Sequence, residues 1–294
     1  MSPALRRILH WAGSGFAIIG IAFVAIRLNE YWGNQDLLDI TPTAWMTIAG
    51  LAVLYGSANI LLALAWRQLL GQFTVCVTRL WSIKVYGISQ LAKYVPGNIF
   101  HLAGRQAIGM SAGISGGVLA KSTLWELGLV AVAGILHVWL FLPILAPGLS
   151  SLASITLFLG TVWVVGYFLR WFFGLRVSVS FGLQMLFLAV SGGIFVILLE
   201  TIVRSGVHHP QTWLVIGGSY VVAWLVGLVT PGAPAGVGVR ELVLLFLLEG
   251  LVTDADLIMA VLLGRMVTVV GDLLFFSASF FISVKKVLLE ENHG

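Results

Sequence analysis

The chain has 294 residues, of which 59% are hydrophobic and only 10% charged. A soluble domain carries about 25% charged residues, so this composition excludes a soluble fold and implies a polytopic membrane protein. The formal net charge of +4 comes without a basic tail or stripe, so no nucleic-acid partner is implied. The single cysteine, Cys76, excludes an internal disulfide and a cysteine-based zinc site.

The N-terminus carries Arg6 and Arg7 and then an apolar run. No small-residue cleavage site is evident, so a retained first span is expected rather than a removed signal. A crossing helix needs roughly twenty apolar residues, and six stretches are predicted to cross: 9–27, 43–66, 120–145, 149–171, 178–202 and 256–284. Backbone groups in lipid must be satisfied within the segment, so these are helices. The alternation expected of a membrane barrel is absent.

Two further apolar regions are interrupted. One, 81–112, is broken at Pro96-Gly97; the other, 211–250, is broken within "TPGAPAGVGVRE", from Thr230 to Glu241. Each is predicted to be a re-entrant hairpin or a broken helix. The second region either re-enters or crosses fully twice.

The Lys/Arg distribution bears on sidedness, because basic residues gather on the cytoplasmic side. If both broken regions return to the side they enter from, one side holds Arg6, Arg7, Arg67, Arg79, Lys84, Lys121, Arg170, Arg176, Lys285 and Lys286. The other holds only Arg27 and Arg204. Both termini are then expected in the cytoplasm. The order span, span, hairpin, span then occurs twice with opposite orientation, over about 1–147 and 148–294. The chain is therefore expected to be one all-α transmembrane domain with an inverted-topology repeat, about six full spans and two hairpins. Both hairpins carry the pattern P-G-x7-R: Pro96, Gly97 and Arg105, then Pro231, Gly232 and Arg240.

Proline removes a backbone donor and breaks a helix, and irregular backbone at membrane depth is tolerated only inside protein or beside water. The breaks, with Pro234, Gly236 and Gly238 completing the second, are expected inside the bundle. Half-helix N-termini there attract anions, and Arg105 and Arg240 follow. The guanidinium fork suits phosphate. Arg105 either binds the anion or snorkels to the interface; Arg240 should sit deep.

Other intramembrane ionisable groups are costly and face an interior. Arg265 and Asp272 lie seven residues apart on one helical face. They bind substrate, or they pair with each other or with Glu241. Lys121 and Glu126 do not face each other, so each needs another partner: for Glu126, Arg105 or Arg265. Lys121 is an interfacial anchor or a headgroup ligand. His101 binds a headgroup or packs, and Asn98 is placed to cap the second half-helix. No metal-ligating or catalytic constellation is visible, so no enzyme, metal or other cofactor is expected.

"KYVPGNIFHLAGR" (93–105) and "PAGVGVRELVLL" (234–245) resemble the transmembrane, flippase-like family named after lysylphosphatidylglycerol synthase. The matching positions are Tyr94, Pro96, Gly97 and Arg105, then Pro234, Gly236, Gly238 and Glu241, with Glu126 and Arg265 in the spans that follow. The soluble aminoacyl-transferase domain of fused members is absent from this sequence, so aminoacyl-lipid synthesis is not implied. The resemblance implies a bacterial inner-membrane protein acting on lipids or lipid-linked sugars.

The expected function is translocation of a phosphate-bearing lipid: a polyprenyl-phosphate, its glycosyl derivative or a phospholipid. Arg105, Arg240 and Arg265 are the expected headgroup ligands, and Glu126, Glu241 and Asp272 the candidate coupling or ion-pair groups. The alternatives are a transporter for a small soluble anion and a non-transporting partner of a lipid- or glycan-synthesis enzyme.

Overall fold

The computed structural model describes residues 41–95, 99–146, 148–203, 210–230 and 239–284. They form α1 (Pro42–Gln72), α2 (Arg79–Gln90), a 3-10 turn (Leu91–Tyr94), α3 (Phe100–Ser111), α4 (Gly116–Leu136), α5 (Val138–Leu145), α6 (Ser151–Phe173), α7 (Leu175–Ile202), α8 (Pro210–Val229), α9 (Val239–Leu247) and α10 (Asp254–Phe280). No strand occurs among the described residues. Polar residues set the helix starts. The hydroxyl of Thr41 accepts from the Ala44 amide at 3.3 Å, with Pro42 in the first turn, and Ser115, Ser150 and Thr253 cap α4, α6 and α10 alike. Between α6 and α7 only Gly174 intervenes, at φ 93°, a left-handed conformation that favours glycine.

Six helices are long and apolar enough to cross a membrane: Pro42–Gln72, Gly116–Ile144, Ser151–Phe173, Leu175–Ile202, Gln211–Val229 and Asp256–Phe280. The chain is an all-α, multi-pass membrane protein. Five of these helices correspond to predicted spans; the predicted 9–27 span lies outside the described residues. The sixth is the first leg of the second broken region. That region is not a pair of short half-helices like α2 and α3. Its apolar run is uninterrupted until Thr230, so α8 reaches full crossing length. The return leg α9 has only 9 residues, about 14 Å of helix, too short to cross the roughly 30 Å core. It doubles back along α8.

Apart from the four inside the bundle (Lys93, Arg105, Arg240 and Arg265), described basic residues such as Arg67, Lys84 and Arg176 lie at one end of it. Arg176, at the start of α7, donates to the Gly71 carbonyl near the end of α1, and Gln72 donates to the Phe173 carbonyl at the end of α6 (3.0 Å). Lys84 in α2 donates to the Ile282 carbonyl just past α10 (2.7 Å). Trp125 in α4 meets Phe173 edge-on at 4.8 Å. The ends of α1, α6 and α10 and the starts of α2, α4 and α7 therefore lie together. The α2–α3 hairpin enters from this end, and the α8–α9 hairpin from the opposite one.

The two halves pack by the same pattern. If α1, α2, α3 and α4 are exchanged with α7, α8, α9 and α10, each packed pair has a packed counterpart. For example, α1 on α10 answers α7 on α4, and α2 on α3 answers α8 on α9. The pair α1 and α7 maps onto itself at the centre.

Glycine brings some of these helices very close. A Cβ added at Gly56 of α1 would stand 2.7 Å from the Gly271 carbonyl oxygen of α10, and one at Gly192 of α7 would stand 2.9 Å from that of Gly217 in α8. Both clashes are with backbone, which cannot swing aside. Gly56→Ala should lower unfolding stability by about 1–3 kcal/mol, as overpacking does. Gly182→Ala, where nothing lies within 4 Å, should leave the melting temperature of the purified protein unchanged or raised. Equal melting temperatures for the two variants would refute this account of the contact.

Candidate functional site

Among the described residues three ion pairs lie inside the bundle, and each ties the return leg or neck of a hairpin to a spanning helix. In the first, Arg105 of α3 meets Glu126 of α4: Nη1 donates to Oε1 at 3.0 Å, and Nη2 lies 2.8 Å from Oε2. Arg105 is 2% exposed and so does not snorkel to the interface. Its guanidinium carbon lies 4.5 Å from the Tyr86 ring centre and 5.1 Å from that of Trp66. The Tyr86 hydroxyl donates to Glu126 Oε1 at 2.9 Å.

The second pair joins Glu241 of α9 to Arg265 of α10, with Nε donating to Oε1 at 2.7 Å. Of the partners open in the sequence, Arg265 thus takes Glu241, and Glu126 takes Arg105. The third pair joins Lys93 to Asp272, Nζ to Oδ2 at 2.7 Å. Asp272 is fully buried and also accepts from Tyr94, from Asn59 (3.3 Å) and from Gln90 (3.3 Å). The 3-10 turn after α2 aims Lys93 and Tyr94 at Asp272. Val95 is extended (φ −69°, ψ 132°), as a residue preceding proline must be. A buried carboxylate needs this many donors, because an unpaired charge there is strongly unfavourable.

Between the hairpins lies a cavity of about 110 Å³, room for several waters at roughly 10–15 Å³ each. Its polar lining comes from Tyr55, Tyr86, Gln90, Lys93, Tyr94, His101, Glu126, Gln184, Arg240, Arg265 and Thr268; leucine, valine, Phe187 and Trp224 supply the rest. Arg240 is 7% exposed and stacks over Tyr220 at 4.2 Å. No carboxylate or hydrogen-bonding group pairs with it among the described residues.

The residues singled out in the sequence therefore divide. Arg240, Arg265, His101 and Glu126 line the cavity, and Glu241 and Asp272 hold cations that line it. Arg105 stands behind Glu126 and is not part of the lining. Lys121 is exposed on α4, away from the cavity. Asn98, Pro96, Gly97, Pro231, Gly232, Pro234, Gly236 and Gly238 lie outside the described residues. No group of metal-ligating residues occurs among the described residues. Sequence reading missed the neutral polar members, Asn59, Gln90 and Gln184. Each is an amide within an apolar helix, and that interruption was the available signal.

Comparison with models of known protein families, with curated protein sequences and with solved structures gave no match.

The Arg105–Glu126 pair should behave as a buried unit. Arg105→Met alone leaves Glu126 uncompensated and should cost about 3–5 kcal/mol of stability. Arg105→Met combined with Glu126→Leu should recover most of it, because an apolar pair of similar volume is tolerated. Thermal unfolding of both purified variants checks this, and a double variant no more stable than the single one would count against it.

Proposed function

We propose that this chain is a transporter of flippase type that moves a lipid with an anionic phosphate headgroup across the bacterial inner membrane. The observation that carries the reading is Arg240: a buried cation, facing a cavity between two oppositely entering hairpins, with no carboxylate among the described residues to neutralise it. A buried charge without a partner is unfavourable, and an anionic ligand removes that cost while guanidinium supplies a fork of donors. The apolar part of the cavity wall, including Leu62, Leu127, Val130, Phe187 and Leu228, suits a molecule that is polar at one end and hydrocarbon at the other. Resemblance of the two break segments to the flippase-like family supports the same reading.

In this scheme the headgroup occupies the cavity and the tails remain in the bilayer. Opposed hairpins allow access to alternate by rocking of the two halves, as in other transporters with inverted repeats. The sequence contains no nucleotide-binding motif, so a gradient or mass action drives transport. Glu126, Glu241 and Asp272 are the candidate coupling groups, each already bound to a cation that ligand or proton must compete for.

Purified protein reconstituted in liposomes should translocate fluorescent phospholipid or polyprenyl-phosphate above the rate in empty liposomes. Arg240→Ala should slow it about tenfold or more, the loss expected for a hydrogen bond to a charged group. Equal rates in wild type and Arg240→Ala, or no rate above background with any anionic lipid, would sink the proposal.

A further inference from the structure

We infer that the cavity selects a headgroup of single negative charge, a phosphodiester, that also presents hydroxyl groups to Gln184. This rests on the cavity being a headgroup site and adds which headgroup it takes.

The first argument is charge. Around the cavity stand four cations, Lys93, Arg105, Arg240 and Arg265, and three carboxylates, Glu126, Glu241 and Asp272. Each carboxylate lies within 2.8 Å of a cation of its own. With the buried imidazole of His101 counted as neutral, one positive charge remains among the described residues, on Arg240. The hairpin tips, residues 96–98 and 231–238, include no ionisable side chain. One bound negative charge brings the site to neutrality. A second would be buried without a partner, which is as unfavourable as the unpaired cation was. A phosphomonoester carries nearly two charges at neutral pH, its second pKa being about 6; a phosphodiester carries one.

The second argument is Gln184. It lies in the first half of α7, fully buried, and lines the cavity. Neither its amide nitrogen nor its carbonyl oxygen has a hydrogen-bond partner among the described residues. Buried polar atoms are normally paired, and leaving them unpaired is costly. A carboxamide offers both donors and an acceptor, and a hydroxyl answers both. A phosphate with no further polar group would satisfy the nitrogen at most. Gln184 therefore reads what is attached to the phosphate, while Arg240 reads the phosphate itself.

The test is calorimetric titration of the full-length purified protein in detergent at pH 8. The probes are dihexanoyl phosphatidylglycerol (a diester with hydroxyls), dihexanoyl phosphatidylmethanol (a diester without them), dihexanoyl phosphatidic acid (a monoester) and inorganic phosphate. The glycerol diester should bind about tenfold more tightly than phosphatidic acid. Arg240→Gln should weaken both diesters alike. Gln184→Leu should weaken phosphatidylglycerol about tenfold, the loss of a hydrogen bond or two, and leave phosphatidylmethanol unchanged. Its melting temperature should not fall, because no protein contact of the amide is lost. Gln184→Met, unbranched like glutamine, replaces it if the leucine variant does not fold. Phosphatidic acid binding as tightly as phosphatidylglycerol would overturn the inference. So would a glutamine variant that affects both diesters equally or neither. Those outcomes leave lipid transport standing. Failure of every lipid to bind, or inorganic phosphate binding more tightly than all of them, would instead remove the lipid reading on which the inference rests.

Discussion

The architecture depends on one constraint: inside an apolar bundle a charge must find a partner. Removing a carboxylate from water costs several kcal/mol after relaxation, and only a well-placed cation with further donors offsets it. Arg105 with Glu126 and Glu241 with Arg265 each bridge a return leg to the next spanning helix. Lys93 with Asp272 anchors the neck of the first hairpin to α10. Hairpin legs of about a dozen residues bury little surface of their own. The ion pairs fix where those legs dock, and hence where the cavity between them opens.

The two hairpins repeat a geometry while differing in charge. In each, an arginine on the return leg stacks on a tyrosine of the first leg: Arg105 on Tyr86, Arg240 on Tyr220. An aromatic face stabilises a guanidinium without neutralising it. In the first half, α4 supplies Glu126 and closes the site internally. In the second half, the corresponding helix α10 supplies a cation, Arg265, which takes the neighbouring Glu241 and leaves Arg240 facing the cavity. The same fold element thus pairs its arginine with a carboxylate in one half and leaves its arginine facing the cavity in the other.

How far the sequence could be read is seen in particular residues. Arg240 was placed deep because it follows the break by so few residues, and the structure buries it at the cavity. Distance along the chain was a poor guide for Arg105. Counted from Pro96 it is expected nearly back at the membrane surface, yet it lies midway along α3, where packing against Trp66 and Tyr86 covers it. The Pro/Gly break marked the end of α8 but not its length, since an apolar run of α8's size is equally a span or one leg of a longer hairpin. Gln184 is not marked by the sequence, because a neutral amide is common in helices; only burial without a partner among the described residues singles it out.

Composition, the spacing of apolar runs and the positions of proline and glycine determined that this is a helical membrane protein with two interrupted segments. Those features reflect local requirements: lipid demands apolar helices, and proline cannot continue one. Which cation meets which carboxylate was settled only in three dimensions, because every pair lies between different helices and several alternatives satisfied the helical spacing equally. The charge left over on Arg240 is a property of the assembled bundle alone. It exists because three carboxylates are each claimed at close range by another cation, an outcome that packing decides and no stretch of sequence contains.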